Sequence, residues 1–398
     1  MESRYYSQKL NRYFSTRLDF LIYAHDGRGL GHASRSIAIG LALRRVKPKC
    51  KTLFVSGCKQ TADLIGNGSL DWIKLPSYAT TIVEGRPEGI YGHANFYKSV
   101  LGQLRSEQLA SIMKTFQPRI VLVDHSPMGK RRELLRALEI TETADTQWVL
   151  GLRGIIGDDK AVWSDQSIQC FKNYYNSILW YGDTRVMGAE YSDIIESRFG
   201  VKPLESGYVS RLMESKYLMT SEKDTLAGTI SIPWGTETTW KFVIKIHDAI
   251  KGIGGNYGPW RLFVDKEKKE VIQDLFRNLP FCTVYKVSEE YTSSLLNSRV
   301  ALVYAGYNSI SDILAARIPT VIVQRDIKDR EQQIHVERLL PFIKANVSVL
   351  AESNTDTRSL QQALENQLHA PPWQNDIVNM NGAEIAALTL AEGIICEE

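Results

Sequence analysis

Short apolar runs rich in β-branched residues alternate with helical patterns along most of the chain. In the first half these runs are "LDFLIYA" (18–24), "KTLFVSG" (51–57), "RIVLVDH" (119–125), "QWVLGLR" (147–153) and "SILWYG" (177–182). Segments such as "SRSIAIGLALRRV" (34–46) and "GKRRELLRALEI" (129–140) have helical periodicity. The runs are continuously apolar, which is typical of parallel strands buried on both faces.

The same rhythm restarts in the second half of the chain. Six further strand candidates are "LAGTISIPWG" (226–235), "RLFVDK" (261–266), "FCTVYKV" (281–287), "RVALVYAG" (299–306), "PTVIVQR" (319–325) and "NVSVLAE" (346–352). The chain has 398 residues, which is enough for two domains. We therefore predict an α/β protein of two doubly wound domains that join near residues 206–216 and bind a ligand in the cleft between them.

Composition narrows the class of protein. The net charge is +3, and no basic stripe is present, so we expect no nucleic-acid partner. The cysteines are odd in number and form no C-x-x-C pair, which favours small buried thiols in a reducing compartment over a disulfide framework or a zinc site; they are Cys50, Cys58, Cys170, Cys282 and Cys396.

The N-terminal segment mixes basic and aromatic residues in "MESRYYSQKLNRYFSTRLDF". It lacks the apolar core of a signal peptide, and no apolar run in the chain approaches the ~18 residues that a membrane span requires. We expect a cytoplasmic protein whose leader packs on its own domain. The alternative is peripheral association with the inner face of a membrane, because such a segment can also rest on an anionic surface.

A glycine-rich turn, "HDGRGLGHASR" (25–35), joins the first strand to a helix expected to begin near Ser34. Its spacing is G-x-G-x-G rather than the G-x-G-x-x-G of dinucleotide-binding proteins, so we do not interpret it as a dinucleotide site. The turn presents His32 at a helix N-terminus, where the imidazole stays neutral and can accept a proton. A histidine satisfied by backbone in a tight turn is an equally weighted interpretation.

A second constellation lies in "YAGYNSISDILAARIPTVIVQRDIKDREQQ" (304–333). A strand ends at Gly306, and a helix follows with Asn308 or Ser309 as its expected N-cap. Such a helix terminus binds anions. Asp312 can accept hydrogen bonds from two ribose hydroxyls, although a carboxylate is also favourable there for the helix alone.

These residues resemble the C-terminal signature of MurG-type glycosyltransferases, glycosyltransferase family 28. "SISDILAARIPTVIVQR…DREQQ" matches the family's acid-bearing helix, its "A-A-x-x-P" segment and its "R-Q-Q"-like ending. The turn at 25–35, "GYVSR" (207–211), "PWGTE" (233–237) and "NGAEIAALTLAEGI" (381–394) resemble further family segments. The resemblance departs from the family at Arg28 and Leu30, at Asp312 in place of a glutamate, and in the lack of a double glycine in "WGTE". The segment "VDHSPMGKRREL" (123–134) differs from MurG itself and resembles a poorly characterised branch of predicted glycosyltransferases more closely.

The resemblance implies a GT-B fold of two Rossmann-like domains. Residues 1–209 would bind the acceptor, residues 210–375 would bind the nucleotide sugar, and residues 376–398 would form a helix that packs back on the first domain. The activity would be inverting, metal-independent transfer of a sugar from a UDP-sugar, with UDP-GlcNAc as the candidate donor, to a hydroxyl of a saccharide, a lipid-linked molecule or a small molecule. No cofactor is expected.

The implied donor site places backbone N–H groups and Arg211 on the diphosphate. Val287 and Ser288 would border the base and Asp312 the ribose, and Gln332 with Glu331 or Gln333 would bind the sugar hydroxyls. The donor-binding set is Arg211, Gly235, Thr236, Val287, Ser288, Gly306, Tyr307, Asn308, Ser309, Asp312, Glu331 and Gln332.

The first domain would supply the base and the acceptor contacts. His32 would take the proton of the acceptor hydroxyl, while Asp124 or His125 could orient or replace it. Gly29, Gly31 and Arg153 would lie on the acceptor side. Two alternatives stay open: a UDP-sugar 2-epimerase of the same fold, which needs paired acid/base groups at the donor sugar, and a nucleotide-sugar-binding protein without turnover.

Overall fold

A computed structural model provides the structure of the chain. It describes residues 15–26, 30–83, 86–92, 95–215, 225–232, 235–286, 290–325, 330–371, 373 and 378–392, with backbone alone for residues 79–83 and 86–92.

The first half is built on a seven-stranded parallel sheet with the order β3-β2-β1-β6-β7-β8-β9. Its strands are β1 (Phe20–Ala24), β2 (Thr52–Ser56), β3 (Asp71–Lys74), β6 (Ile120–Asp124), β7 (Gln147–Arg153), β8 (Ser177–Tyr181) and β9 (Leu204–Glu205). An antiparallel hairpin of β4 (Tyr78–Val83) and β5 (Arg86–Gly92) lies outside this sheet. The direction of strand addition reverses between β1 and β6, which is where open α/β sheets bind ligands.

The second half repeats this design with six parallel strands in the order β12-β11-β10-β13-β14-β15. The strands are β10 (Leu226–Ile232), β11 (Trp260–Val264), β12 (Cys282–Lys286), β13 (Ser298–Tyr304), β14 (Thr320–Gln324) and β15 (Val347–Ala351). The reversal here falls between β10 and β13, so the residues that follow β13 lie at the expected ligand edge.

Helices connect the strands in both halves. In the first half they are α1 (Gly31–Val46), α2 (Thr61–Ile65), α3 (Lys98–Phe116), α4 (Leu135–Thr141), α5 (Lys160–Trp163), α6 (Asp165–Tyr174), α7 (Thr184–Met187), α8 (Ala189–Phe199) and α9 (Arg211–Ser215). In the second half they are α10 (Glu237–Ile253), α11 (Lys269–Leu275), α12 (Glu290–Leu296), α13 (Tyr307–Ala316), α14 (Glu331–Ile343), α15 (Thr357–Leu368) and α16 (Gly382–Ala391). Single 3₁₀ turns span Lys130–Arg132, Lys266–Lys268 and Lys344–Asn346.

The strands expected from the apolar runs are all present, and the expectation of two parallel α/β sheets is confirmed. The sequence pattern missed the hairpin and the edge strands β3 and β9. Edge strands are half solvated; the "DWIK" of β3, for example, has no fully buried residue. Such strands lack the continuous apolar run that marks a central strand.

One apolar cluster joins the two halves. It fills both faces of the first sheet and continues into buried residues of α13 and α14, such as Ile310 and Val336. A second cluster lies on the other face of the second sheet, around Trp260 and Phe242. Helix α16 packs on α1, where Glu384 forms an ion pair with Arg45 at 3.0 Å. The boundaries at 209 and 375 stay predictions.

The cysteines correct one expectation. Cys50 is disulfide-bonded, whereas Cys58, Cys170 and Cys282 are free thiols. An odd count excludes a fully paired set but does not exclude a single bond. In the parts of the chain that the structure describes, no helix is long and apolar enough to cross a membrane.

Candidate active site

The carboxyl ends of β1 and β6 bring three histidines together at the switch point of the first sheet. The two strands are paired in register, with Tyr23 opposite Val123, so His25 and His125 follow them at the same edge. His32 lies in the first turn of α1, which begins at Gly31, three residues before the expected start. Topology alone therefore places these rings in one cluster.

His32 and Asp124 form a close pair. The Nδ1 atom of His32 lies 2.6 Å from the Oδ2 atom of Asp124, whose side chain is fully buried. A carboxylate oxygen can only accept a hydrogen bond, so this contact assigns the proton to Nδ1. The Nε2 atom makes no hydrogen bond to the described residues, and the side chain is 19% exposed. The free nitrogen is thus the one that can act as a base.

Arg35 holds the other side of Asp124. Its Nε donates to Oδ1 and its Nη2 donates to Oδ2, both at 2.7 Å. The Nη2 atom also lies 2.9 Å from Nδ1 of His32. We interpret this short distance as a consequence of both nitrogens donating to the same oxygen, Oδ2 of Asp124. The contact of Nδ1 with Oδ2, at 2.6 Å, is the shorter of the two contacts of Nδ1 and is charge-assisted.

The surroundings of His32 keep the imidazole neutral. Burial lowers its pKa well below the usual value, and the positive charge of Arg35 lowers the pKa further. The predicted neutral form at the N-terminus of α1 is consistent with this direction, but burial and Arg35, rather than the helix, are the main causes. A neutral imidazole with a free nitrogen can accept a proton at pH 7.

His125 forms a second histidine–carboxylate pair, with its Nε2 atom 2.7 Å from Oδ2 of Asp159. Its backbone has φ of +70°, which is strained for a residue with a side chain, and its Nδ1 is buried with no hydrogen-bond partner among the described residues. The ring lies 5.2 Å from that of His32, but only 3% of the residue is exposed. His125 is therefore much less accessible than His32.

His25 completes the cluster, and sequence reasoning gave it no role. Its ring lies 4.0 Å from that of His32, and burial followed by the neighbouring histidines lowers its pKa well below the usual value. The available signal was its position directly after β1. Arg35 was likewise missed, although it lies three residues after His32 and so on the same helical face.

In the second half, α13 opens at the edge where β13 ends. The helix is capped at Gly306, not at the expected Asn308 or Ser309, and no described side chain bonds to its first N–H groups. The helix begins at Tyr307, directly after Gly306, and a glycine has no side chain that could cap the first N–H groups. A Cβ placed on Gly306 would meet no described atom within 4 Å, so this side of the turn is open. The first N–H groups can thus bind an anion.

The two loops approach each other across the cleft. A Cβ on Gly31 would collide with the Nδ2 atom at the end of the Asn308 side chain, so a larger residue at this position would force that side chain to move. The Oδ1 atom of Asn308 is buried and has no hydrogen-bond partner among the described residues. The first turns of α1 and α13 therefore lie side by side.

The side chain of Tyr307 connects the two halves and is not exposed to a ligand. Its hydroxyl donates to the carbonyl oxygen of Tyr181 at 2.6 Å and accepts from the Val209 N–H at 3.3 Å. Its ring stacks with those of Tyr208 and His335, which share a hydrogen bond of 2.8 Å. Sequence reasoning missed this stack because its members come from three separate segments.

Asp312 faces back toward the connection between the halves. It accepts a hydrogen bond from the Ser210 hydroxyl at 2.6 Å, and burial raises its pKa to about 6. Arg211 lies near enough to oppose that shift. The Arg211 guanidinium donates to the Leu64 carbonyl at 3.2 Å and to the Thr292 hydroxyl at 2.9 Å. The structure thus places both predicted donor residues beside one another.

Arg153 and Glu331, predicted on opposite sides of the reaction, bind each other. The Nη2 atom of Arg153 lies 2.6 Å from Oε2 of Glu331, which also accepts from the Gly157 N–H at 3.3 Å. The neighbouring Gln332 has a buried Oε1 with no hydrogen-bond partner among the described residues. This ion pair links the edge of β7 to the start of α14.

Gly235 and Thr236 lie before α10, and Thr236 caps that helix through a reciprocal pair of contacts with Thr239. Gly29, Val287 and Ser288 lie outside the described residues, so their predicted roles stay predictions. Among the residues that are described, no group of three or more histidine, cysteine, aspartate or glutamate side chains has the geometry to hold a metal ion.

Comparison with known proteins supports the fold. No family profile and no curated protein matches the chain. MurG from Acinetobacter baumannii is 12% identical, with 93% of this chain and 95% of that chain covered and a TM-score of 0.51. A putative UDP-N-acetylglucosamine 2-epimerase from Listeria monocytogenes is 10% identical, with 93% and 94% covered and a TM-score of 0.59. The UDP-GlcNAc 2-epimerase from Neisseria meningitidis, bound to UDP-GlcNAc, is 11% identical, with 94% and 98% covered and a TM-score of 0.58.

At these identities the similarity concerns the fold. The expected GT-B architecture of two Rossmann-like domains is confirmed, and so is its resemblance to MurG. The same architecture occurs in proteins named for two different reactions.

Proposed function

We propose that this chain is a nucleotide-sugar enzyme, and specifically an inverting, metal-independent glycosyltransferase. It would move a sugar from a UDP-sugar, with UDP-GlcNAc as the first candidate, to a hydroxyl of an acceptor. The observation that carries the proposal is His32, a neutral imidazole oriented by Asp124 whose Nε2 faces no described partner. The preceding residue, Gly31, lies beside Asn308 in the open first turn of α13.

The proposed step is a single displacement. The acceptor hydroxyl transfers its proton to Nε2 of His32 as its oxygen attacks the anomeric carbon of the donor sugar. The bond from that carbon to the diphosphate oxygen breaks, and the electron pair leaves with UDP. One displacement inverts the anomeric centre. A general base of this kind contributes ~10²–10⁴-fold to the rate.

The second half would bind the leaving group. The first N–H groups of α13, at Tyr307, Asn308 and Ser309, would donate to the diphosphate, and Arg211 would add a positive charge. Asp312 would accept from the ribose hydroxyls after exchanging its bond with Ser210. Gln332, whose Oε1 has no hydrogen-bond partner among the described residues, would bind a sugar hydroxyl.

A UDP-sugar 2-epimerase is the second candidate function. An epimerase needs paired acid and base groups at one sugar. The His125–Asp159 pair favours this function, because the His125 ring lies 5.2 Å from the ring of His32 and provides a second histidine–carboxylate pair there. The burial of His125 favours the transferase, because the His32 side chain is 19% exposed whereas His125 is only 3% exposed.

A UDP-release screen over donor sugars, with and without hydroxyl acceptors, tests the proposal. The transferase predicts release that depends on an acceptor and a product with inverted anomeric configuration. UDP release or interconversion of the donor without any acceptor would favour the epimerase. Tight UDP binding with no turnover on saccharide, lipid-linked or small-molecule acceptors would indicate a binding protein instead.

A further inference from the structure

Arg35 is a buried cation whose contacts converge on the base. The residue is 2% exposed, yet it carries a permanent charge that must be compensated. Its guanidinium meets both oxygens of Asp124 in a two-bond arrangement, and its Nη2 reaches within 2.9 Å of the Nδ1 atom of His32. Asp124 is thereby shared between a guanidinium and an imidazole.

We propose that Arg35 is a positioning residue that acts through Asp124: it locks the carboxylate and thereby determines which nitrogen of His32 faces the cleft. The inference rests on the proposed function of His32 as the general base. Two parallel hydrogen bonds leave the carboxylate little freedom to rotate, whereas a single bond would allow it. With Asp124 held in this way, the proton stays on Nδ1 and Nε2 stays free.

The contact between Arg35 and Asp124 also affects whether the His32 ring is protonated. Asp124 alone would stabilise an imidazolium, but its own charge is balanced by Arg35. The charged and titratable groups that face His32 come from several elements: His25, Arg35, Asp124, His125, Arg153 and Asp159. After burial, Arg35 is the strongest of the influences that lower the pKa of His32. Removing Arg35 should therefore favour the protonated ring.

The test uses the full chain with isotopically labelled histidine, without donor or acceptor. Nitrogen NMR reports both the tautomer and the titration midpoint of His32, and a His32→Gln variant assigns its signals among the seven histidines. In Arg35→Met we expect the midpoint to rise by about one pH unit or more, as for a charge at hydrogen-bond distance. We also expect the Nδ1–H tautomer to lose its dominance. Arg35→Lys keeps the charge, so the midpoint should stay near the wild-type value.

A matched control lies on the same helix. Arg45 binds both oxygens of Glu214 at 3.0 Å and 2.9 Å, with the geometry of Arg35 and Asp124 but ten residues further along α1. Arg45→Met should change neither the tautomer nor the midpoint of His32. It therefore separates the loss of any two-bond arginine–carboxylate pair on this helix from the loss of the Arg35–Asp124 pair, although the Arg45 side chain is 29% exposed and Arg35 is buried.

A double-mutant cycle tests whether Arg35 acts through Asp124. If it does, Arg35→Met should lower kcat in the wild-type background but have no further effect on kcat at the pH optimum in an Asp124→Asn background. In the Asp124→Asn background Arg35→Met leaves no buried unpaired carboxylate, so Asp124→Asn and the double variant can be compared even if Arg35→Met alone does not fold. A further loss of kcat in the double variant would then contradict the inference.

An unchanged tautomer and midpoint in Arg35→Met would overturn the inference. Additive losses of kcat in the cycle would overturn it as well, since Arg35 would then not act through Asp124. The NMR result is independent of turnover. Failure of the proposed transferase reaction is seen in the UDP-release screen, whereas failure of this inference is seen in the donor-free protein.

Discussion

The two sheet edges that face the cleft use different chemistry. At the first edge, after β1 and β6, the chain places ionisable side chains: three clustered histidines, a buried aspartate and a buried arginine. At the second edge, after β13, it places an open helix terminus, side-chain amides and one aspartate on a serine hydroxyl. Two halves of the same design thus provide proton transfer on one side and anion binding on the other.

This difference indicates which contacts join the two functions. The Arg153–Glu331 ion pair and the Tyr307 hydroxyl both cross between the halves, at 2.6 Å each. Residues predicted as separate acceptor and donor contacts are therefore also part of what holds the cleft together. Mutations confined to one edge should change one function only, and mutations at the crossing should change both.

The largest effect is expected from the first edge. His32→Ala should lower kcat by about 10²–10⁴-fold, the usual loss for a general base, while UDP affinity measured by calorimetry changes little. Lys114, an exposed residue in the last turn of α3, provides a control as Lys114→Ala. Loss of UDP binding with retained turnover of bound substrate would instead make the glycine turn a phosphate site.

The pH dependence of stability should also reside mainly at the first edge. Burial lowers the pKa of His25, His32 and His125, and it lowers that of His335 in the second half to about 3. Below the unfolded value near 6.5 the unfolded chain binds protons that the folded chain does not, so each histidine makes unfolding easier as pH falls. The slope is about 1.4 kcal/mol per pH unit for each such group.

Urea unfolding at pH 7.5 and 5.5 measures this dependence. His125→Gln and His335→Gln should each lose less stability between the two pH values than the wild type does. Equal losses in wild type and variants would show that folding does not lower the pKa of these histidines.

At the second edge, Asp312→Ala should weaken UDP binding by about 1–3 kcal/mol if the carboxylate holds the ribose. The pKa of about 6 gives the sign of the pH dependence: wild-type affinity should fall as pH drops through 6, because the protonated acid accepts fewer hydrogen bonds. Calorimetry between pH 5 and 8 checks both points. An affinity that Asp312→Ala leaves unchanged would remove the ribose assignment.

The Arg153–Glu331 ion pair, which crosses between the halves, can be tested by a double-mutant cycle of Arg153→Met and Glu331→Gln. We expect a coupling free energy of about 1 kcal/mol, measured from the free energies of unfolding. The exposed pair of Lys241 and Glu237, 2.9 Å apart, is a control expected to show less coupling. Strictly additive losses would mean that the bridge does not stabilise the join.

The smallest effect is expected from metal removal. EDTA should leave turnover intact, because the α13 terminus and Arg211 supply the positive potential for the diphosphate. Activity lost on chelation and restored by Mg²⁺ or Mn²⁺ would contradict this view of the phosphate site.

The sequence by itself determined the α/β class, the two-domain plan and the central strands. These follow from local patterns, since a strand buried on both faces must be apolar throughout. His32, Asp124 and His125 could be predicted as one group, because residues that follow adjacent parallel strands share an edge. The quoted C-terminal motif likewise located the α13 terminus, although not its cap at Gly306.

Only the tertiary structure decided which of these side chains pair. That Asp124 binds both Arg35 and His32, that Glu331 binds Arg153, and that Tyr307 bonds to the first half are contacts between residues up to 178 positions apart. Their geometry depends on how the two sheets pack, and no local pattern encodes that packing. Buried charges must be matched across elements, so the three-dimensional arrangement determines the partner of each charge.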